Sequence, residues 1–513
     1  MGFYDKIIRS LPSITDPKVH LNFKKRLIWT AVILLLFIIL GQITVYGVSR
    51  TAQERFQFLE MILGSKMGSL ITLGIGPIVT ASIILQLLVG SKIIPWNLRT
   101  QEGKIKFQGT QKLLTVFFCI FEAVAYVSFG AIQPLSPDPG LMMLIIAQLT
   151  FGGVLILLMD EVVSKWGIGS GVSLFIAAGV TAGIFVGALN PCANVGTPGC
   201  TLGDPSAGIF PFGHIPQAIS YLQIGEVTQT ILSLLPLIAT ITVFFIVVYV
   251  QAIKVEIPLA FGSFRGFSRR WPLKFIYTSN IPVILAAALL ANMQLLGSMM
   301  AGRGITILGT FDENGTSTGG LLHYLLTPHS SAIQVFSITL LIVIFAGGML
   351  AFYLKHRNAG KIVAGSIVLG IVLAAIVSNA FIGLPTGDEM LRLTGHVMFM
   401  VIASVVFSIF WVATAGMDAR SVAEQIQGLG MQIPGFRRDP RIVESVLNRY
   451  IPTLAVLGGI FVGLLAAVAD LTGALGTGTG ILLTVMIIYN LYEQISMQYV
   501  EDMHPAVRKF FGH

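Results

Sequence analysis

Long apolar runs separated by short polar or basic segments set the pattern of this chain. Stretches near the roughly 20 residues that cross a bilayer as a helix lie at 27–46, 68–90, 113–133, 141–159, 168–188, 230–253, 276–297, 332–354, 362–383, 395–416, 451–470 and 475–497. The second opens on GIGPIVTASIILQLL, Gly74 to Leu88, where Gly74, Gly76 and Pro77 break the helix at its start. Such breaks are tolerated at membrane depth only where the freed backbone faces protein or a water-filled cavity, so this stretch is expected to line a pore or a binding site. The seventh stretch repeats the device with Pro282, and both carry Gln-Leu-Leu, at Gln86–Leu88 and Gln294–Leu296. Broken helices at corresponding positions in two halves suggest an inverted repeat around a central path.

Composition agrees. Hydrophobic residues make up 54% of the 513 and charged residues only 11%, against about 25% in a globular domain. A mean hydropathy of +0.83 completes the reading of a polytopic membrane protein. The net charge of +8 needs no nucleic acid to explain it. With the N-terminus on the cytoplasmic side, 27 of the 32 Lys and Arg fall there, and only Arg50, Arg55, Lys66, Arg303 and Arg392 face the other way. This asymmetry predicts a multi-pass cell-membrane protein with both termini cytoplasmic. The first 20 residues carry Asp5, Lys6 and Arg9 and no apolar core, so no cleavable signal peptide is expected. Phe3, Ile7, Ile8 and Leu11 recur at helical spacing and predict an amphipathic surface helix within 1–26.

Few ionisable groups lie deep in the runs. Glu122 is the clearest, either as a polar contact facing an interior cavity or as a snorkelling or helix-paired carboxylate. Asp160, Glu161 and Asp470 stand near run ends and read as interfacial. No GxxxxGK[ST] occurs, and His323, His329, His356 and His396 are scattered without HExxH or a paired nucleophile, so neither an enzyme, a cofactor nor a metal is expected. Cys119 reads as packing. Cys192 and Cys200, spaced CANVGTPGC in an external loop at 189–229, are either a disulfide or two free thiols. Asn314-Gly-Thr is a glycosylation sequon and equally a hairpin signal.

Five strings carry a resemblance: LITLGIGPIVTASIILQLLVGS (Leu70–Ser91), FQGTQKLL (Phe107–Leu114), DEVVSKWGIGSGVSLFIAAGV (Asp160–Val180), VEIPLAFGSFRG with FIYTSNIPVILAAALLANMQL (between Val255 and Leu295), and GIFVGLLAAVAD with GALGTGTGILLTVMIIYNLYEQ (Gly459–Gln494). In this order they resemble the SecY family of protein-conducting channels, most closely its archaeal form and the eukaryotic translocon α subunit, over about 1–331 and 395–513. The resemblance implies an all-α fold of two five-span inverted-repeat halves around an hourglass pore, with spans 1–5 in 27–229 and spans 6–10 in 230–513. It implies that unfolded secretory polypeptides cross the membrane through the pore and that membrane segments leave through a lateral gate.

Carried over by motif, the waist of the pore is a ring of Ile75, Val79, Val172, Ile176, Ile284 and Leu483. Apolar side chains seal around any translocating sequence, and a narrow apolar constriction dewets. Residues 56–68 match the family's plug in position and length, with Phe56, Phe58, Leu59, Met61, Ile62 and Leu63 as its apolar residues. Thr80, Glu122 and Asn292 match polar positions of the gate. Arg265, Arg269, Arg270 and Lys274 in one loop, and Arg437, Arg438 and Arg441 in another, match ribosome-binding positions, and arginine suits phosphate contacts. The implied partners are a SecE-type clamp subunit, a Secβ-type peripheral subunit, the ribosome with its nascent chain, membrane lipid and, indirectly, the signal recognition particle receptor.

The family core has ten spans, and this chain has two more apolar stretches within 332–383, joined by KHRNAGK. An inserted pair preserves downstream topology. It is expected to be an extra hairpin outside the core, either lipid-facing, or shaping gate access or binding a lineage-specific partner. The competing reading, a twelve-span secondary transporter for a small solute, calls for a polar midplane site with coupling carboxylates. The stretches offer Ile, Val and Leu instead.

Overall fold

The computed structural model describes residues 13–18, 21–48, 68–91, 93–96, 100–128, 132–136, 138–193, 202–203, 208–261, 268–278, 281–301, 304–312, 317–328, 330–353, 359–428, 431–432 and 440–503. The amphipathic N-terminal positions Phe3, Ile7, Ile8 and Leu11, the plug at 56–63, and Cys200, Arg265, Asn314, Arg437 and Arg438 lie outside them.

A helix lies at every apolar stretch. In the first part of the chain these are α1 (Phe23–Leu40), α2 (Gly76–Gly90), α3 (Gln101–Ser128), α4 (Pro139–Trp166) and α5 (Gly171–Leu189), followed by a short α6 (His214–Ile224). Then come α7 (Val227–Gln251), α8 (Ile281–Ala301), a one-turn α9 (Leu321–Leu325), α10 (Ser331–Tyr353), α11 (Ala359–Phe381), α12 (Gly387–Thr414), α13 (Ala419–Gly428), α14 (Pro440–Leu471) and α15 (Gly478–Met503). Among the described residues nine helices are long and apolar enough to cross a membrane, and α2 is a shorter apolar one. The chain is a multi-pass helical membrane protein.

Local chemistry explains the boundaries. Helix α2 begins at Gly76 rather than 68 because Gly74 adopts φ 54 and Pro77 occupies the first turn, where its missing N–H removes no helical bond. Helix α8 likewise begins one residue before Pro282. Helix α3 starts twelve residues before the apolar run, on a charged turn held by the Lys106–Glu102 pair at 2.7 Å. Thr386 and Glu389 form a capping box at the start of α12, satisfying two otherwise orphaned amides.

The structure adds strands that the all-α expectation lacked. β1 (Lys254–Phe261) and β2 (Ser268–Lys274) form an antiparallel hairpin, and β5 (Met431–Gln432) joins the other edge of β1 through Ala260–Gln432 and Phe261–Met431. β3 (Thr310–Phe311) and β4 (Ser317–Gly319) make a second, small ribbon. The signal was present: Val255, Ile257, Leu259 and Phe261 alternate with period two.

One large apolar cluster draws residues from α1, α2, α4, α5, α7, α8, α10, α12, α14 and α15. A second gathers Cys119, Tyr126, Leu149 and Ala291 from α3, α4 and α8. Helices α10 and α11 pack chiefly on each other, where Gly347 lies against Ser366 and Gly370 against Leu340. Helix α10 also packs on α7 and α14. The outer face of α11 exposes Val368, Leu369, Val372 and Ile376.

Candidate functional site

Six apolar side chains from four helices belong to the large cluster or pack against it. Ile75, Val79, Ile176, Ile284 and Leu483 are buried in it, and Val172 packs against it half-buried. Each stands beside or within the first two turns of its helix: Ile75 and Val79 at the start of α2, Val172 and Ile176 on α5, Ile284 on α8, Leu483 on α15. The two proline-broken helices place their members alike, Val79 two residues after Pro77 and Ile284 two after Pro282.

A polar chain runs beside this cluster. The Asn292 side-chain amide on α8 donates to the Thr80 hydroxyl on α2 at 3.0 Å. That hydroxyl stands 3.3 Å from the Glu122 carboxylate on α3 and 2.9 Å from the Gly76 carbonyl. The three polar residues singled out in the sequence are thus joined across three helices, and Glu122 is buried and paired rather than snorkelling. The Gln111 amide adds a second α3–α2 bond to Ser82 at 3.0 Å. Farther along, Gly90 lets α2 approach α12 closely: a Cβ there would lie 2.6 Å from Cδ1 of Phe410. One turn beyond Phe410, a cavity of about 440 Å³ opens among Lys104, Phe107, Gln108, Thr414, Ser421 and Glu424.

The basic loops are joined through the sheet. Arg269 and Arg270 lie on β2, in register with Leu259 and Pro258, and Arg441 is exposed at the start of α14. Lys274 is tied down by an ion pair with Glu493 and stands 5.7 Å from the Tyr489 ring.

The three carboxylates read as interfacial each have protein partners. Glu161 bridges Lys112 at 2.7 Å and Lys165 at 3.0 Å. Asp160 accepts from the Val172 amide at 2.8 Å. Asp470, its side chain only 6% exposed, accepts from the Thr479 amide at 2.7 Å and lies 3.8 Å from the buried His396. Sequence spacing placed these residues near helix ends but could not show that the next helix begins against them. Cys192 is disulfide-bonded and Cys119 is free and buried. Among the described residues no group of His, Cys, Asp and Glu could hold a metal ion.

The SecY family matches residues 69–492. The protein translocase subunit SecY of Methanothermobacter thermautotrophicus is 42% identical, over 99% of this chain and 98% of its own. A solved protein-conducting channel superposes with a TM-score of 0.76 at 39% identity, covering 98% of both chains. Sec61 in the canine ribosome–channel complex from the endoplasmic reticulum superposes with a TM-score of 0.74, also at 39% identity and 98% of both chains. The chain belongs to the SecY family of protein translocase subunits.

Proposed function

We propose that this chain is the central pore-forming subunit of the channel, and that its polypeptide path runs through the waist formed by Ile75, Val79, Val172, Ile176, Ile284 and Leu483. The observation that supports this is that five of these apolar side chains, near the starts of four helices, are buried in one cluster and the sixth packs against it. Such a ring has no fixed partners to break, so it yields to a passing chain and closes again behind it. Ten helices form the core in two inverted halves, 27–229 and 230–513. The pair within 332–383 is an added hairpin, giving twelve spans with both termini cytoplasmic. The plug is the segment 56–68. The seam of α2 and α3 against α8 and α12 is the lateral gate, biased by Thr80, Glu122 and Asn292. Polar contacts between membrane helices are worth about 0.6–2 kcal/mol each, which suits a seam that opens.

The ribosome is the cytoplasmic partner. Relatives that form ribosome–channel complexes support this reading, as does the sheet that joins the strands leading to Arg265, Arg269, Arg270, Arg437 and Arg438. A SecE-type clamp and a Secβ-type subunit complete the channel. Cys192 pairs with Cys200: among the described residues Cys192 is disulfide-bonded and Cys119 is free.

A photocrosslinker at Val79, presented with a stalled ribosome-bound secretory chain, tests the path. Crosslinks to the middle of the nascent chain that vanish without a signal sequence are expected. None at Val79 or at Ile284, with the ribosome bound, would overturn the ring.

A further inference from the structure

Two of the helices that carry the ring begin in the same way. At the start of α5, the amide of its second residue, Val172, donates to Oδ1 of Asp160 at 2.8 Å. At the start of α15, the amide of its second residue, Thr479, donates to Oδ1 of Asp470 at 2.7 Å, and the Thr479 hydroxyl bonds Oδ2. Each aspartate lies near the end of the preceding helix, α4 or α14. In both places the first residue of the ring helix is a glycine pressed on the backbone beside the aspartate. A Cβ on Gly171 would lie 2.6 Å from Asp160 Cα, and one on Gly478 would lie 1.9 Å from the Ala469 carbonyl carbon and 2.3 Å from the Asp470 nitrogen. From each glycine the ring residue stands five positions on, Ile176 in one case and Leu483 in the other. The second start is also strained. Thr477 adopts φ 61, an outlier for a β-branched residue, while its hydroxyl accepts from the Gly480 amide at 3.0 Å.

We infer that Asp160 and Asp470 are paired positioning residues for the waist: each clamps the first turn of a ring helix to the helix before it and thereby fixes the depth of Ile176 or Leu483. A helix start leaves four amides without intrahelical partners and carries a positive dipole end, so a carboxylate there is a strong anchor. An amide orphaned where the helix start packs against protein is expensive. The glycine lets the two backbones come close enough for the carboxylate to reach. With the clamp gone, the helix start is free to slide or fray, and a ring residue one turn inward moves with it. The clamps do not touch the polypeptide; they act through the ring, and the inference rests on the ring assignment above.

The test is the resting ion conductance of the assembled channel complex, purified and reconstituted in planar bilayers and normalised to folded channels. Asp160→Ala and Asp470→Ala should each raise resting conductance by roughly tenfold, the scale of one lost charge-assisted hydrogen bond. Asp160→Asn and Asp470→Asn, which keep an acceptor oxygen but lose the charge, should leak less than the alanine variants. Gly478→Ala leaves the carboxylate intact but blocks the approach, and should leak like Asp470→Ala. Should an alanine variant fail to assemble, Asp→Glu at the same site moves the carboxylate one methylene away and should leak as well. Wild-type conductance in the alanine or glutamate variants, or equal leak from asparagine and alanine, would overturn the clamp. Ile176→Gly separates the two levels. If it leaks while the clamp variants do not, the ring stands and the clamp falls. If neither leaks, the ring assignment itself fails.

Discussion

The side-chain amide of Asn292 donates to the hydroxyl of Thr80 at 3.0 Å, linking α8 to α2 across the seam proposed as the gate. Because Thr80 also faces the buried Glu122, removing Asn292 leaves this part-buried polar pair without its partner on the opposite side. Asn292→Ala should weaken the closed seam by about 1 kcal/mol. Oxidative crosslinking of cysteines placed at Gly90 and Phe410 should then fall several-fold in rate; an unchanged rate would separate this bond from gate closure.

Gly90 sets how closely α2 and α12 approach, and its nearest neighbour is the Phe410 ring. Gly90→Leu should wedge the helices apart at a cost of about 1–3 kcal/mol and raise resting conductance. Adding Phe410→Ala makes room for the leucine and should bring the conductance back down.

Gly152 and Gly348 are both helical, yet they should respond in opposite ways. A Cβ on Gly152 would lie 1.7 Å from the Leu70 carbonyl oxygen, whereas one on Gly348 meets nothing within 4 Å. Gly152→Ala forces backbone apart and should lower the melting temperature markedly. Gly348→Ala should hold or raise stability by up to about 1 kcal/mol. Thermal unfolding in detergent, followed by circular dichroism, separates the two.

Tyr277, between β2 and α8, donates to the Met417 carbonyl at 2.7 Å. Burial, with the Asp418 charge adding to it, pushes its phenol from 10.0 up to about 12. The raised group favours the folded state fully below pH 10, and that contribution is lost as the pH climbs towards 12. Stability measured across this window should fall more steeply in the wild type than in Tyr277→Phe. Parallel curves would remove Tyr277 from the alkaline transition.

Cys192 is disulfide-bonded. Reduction should add the mass of two hydrogens to the intact chain, and Cys200→Ser should abolish that change. Closing so short a loop stabilises by about 2–3 kcal/mol in the chain-entropy model, so the serine variant should also melt lower.

The sequence was legible where one segment's own chemistry decides the outcome. Apolar runs placed the helices, Gly74, Pro77 and Pro282 placed two breaks, and distinctive strings carried the family. The strand pairing of Val255–Phe261 went unread because the period-two pattern was short and sat between basic residues. The pairing of Asp160 and Asp470 with the next helix was not legible, because only the fold brings α5 and α15 back against the helices before them.

By itself, then, the sequence determined which stretches prefer lipid and where the backbone must bend, since both depend on residues within a single turn or span. The tertiary structure decided which side chains meet. It placed Ile75, Val79, Ile176, Ile284 and Leu483, from distant segments, in one large buried cluster, linked Asn292 to Thr80, and packed α10 on α7 and α14. Those contacts depend on how helices cross and how closely glycine lets them approach, and no single segment contains that information.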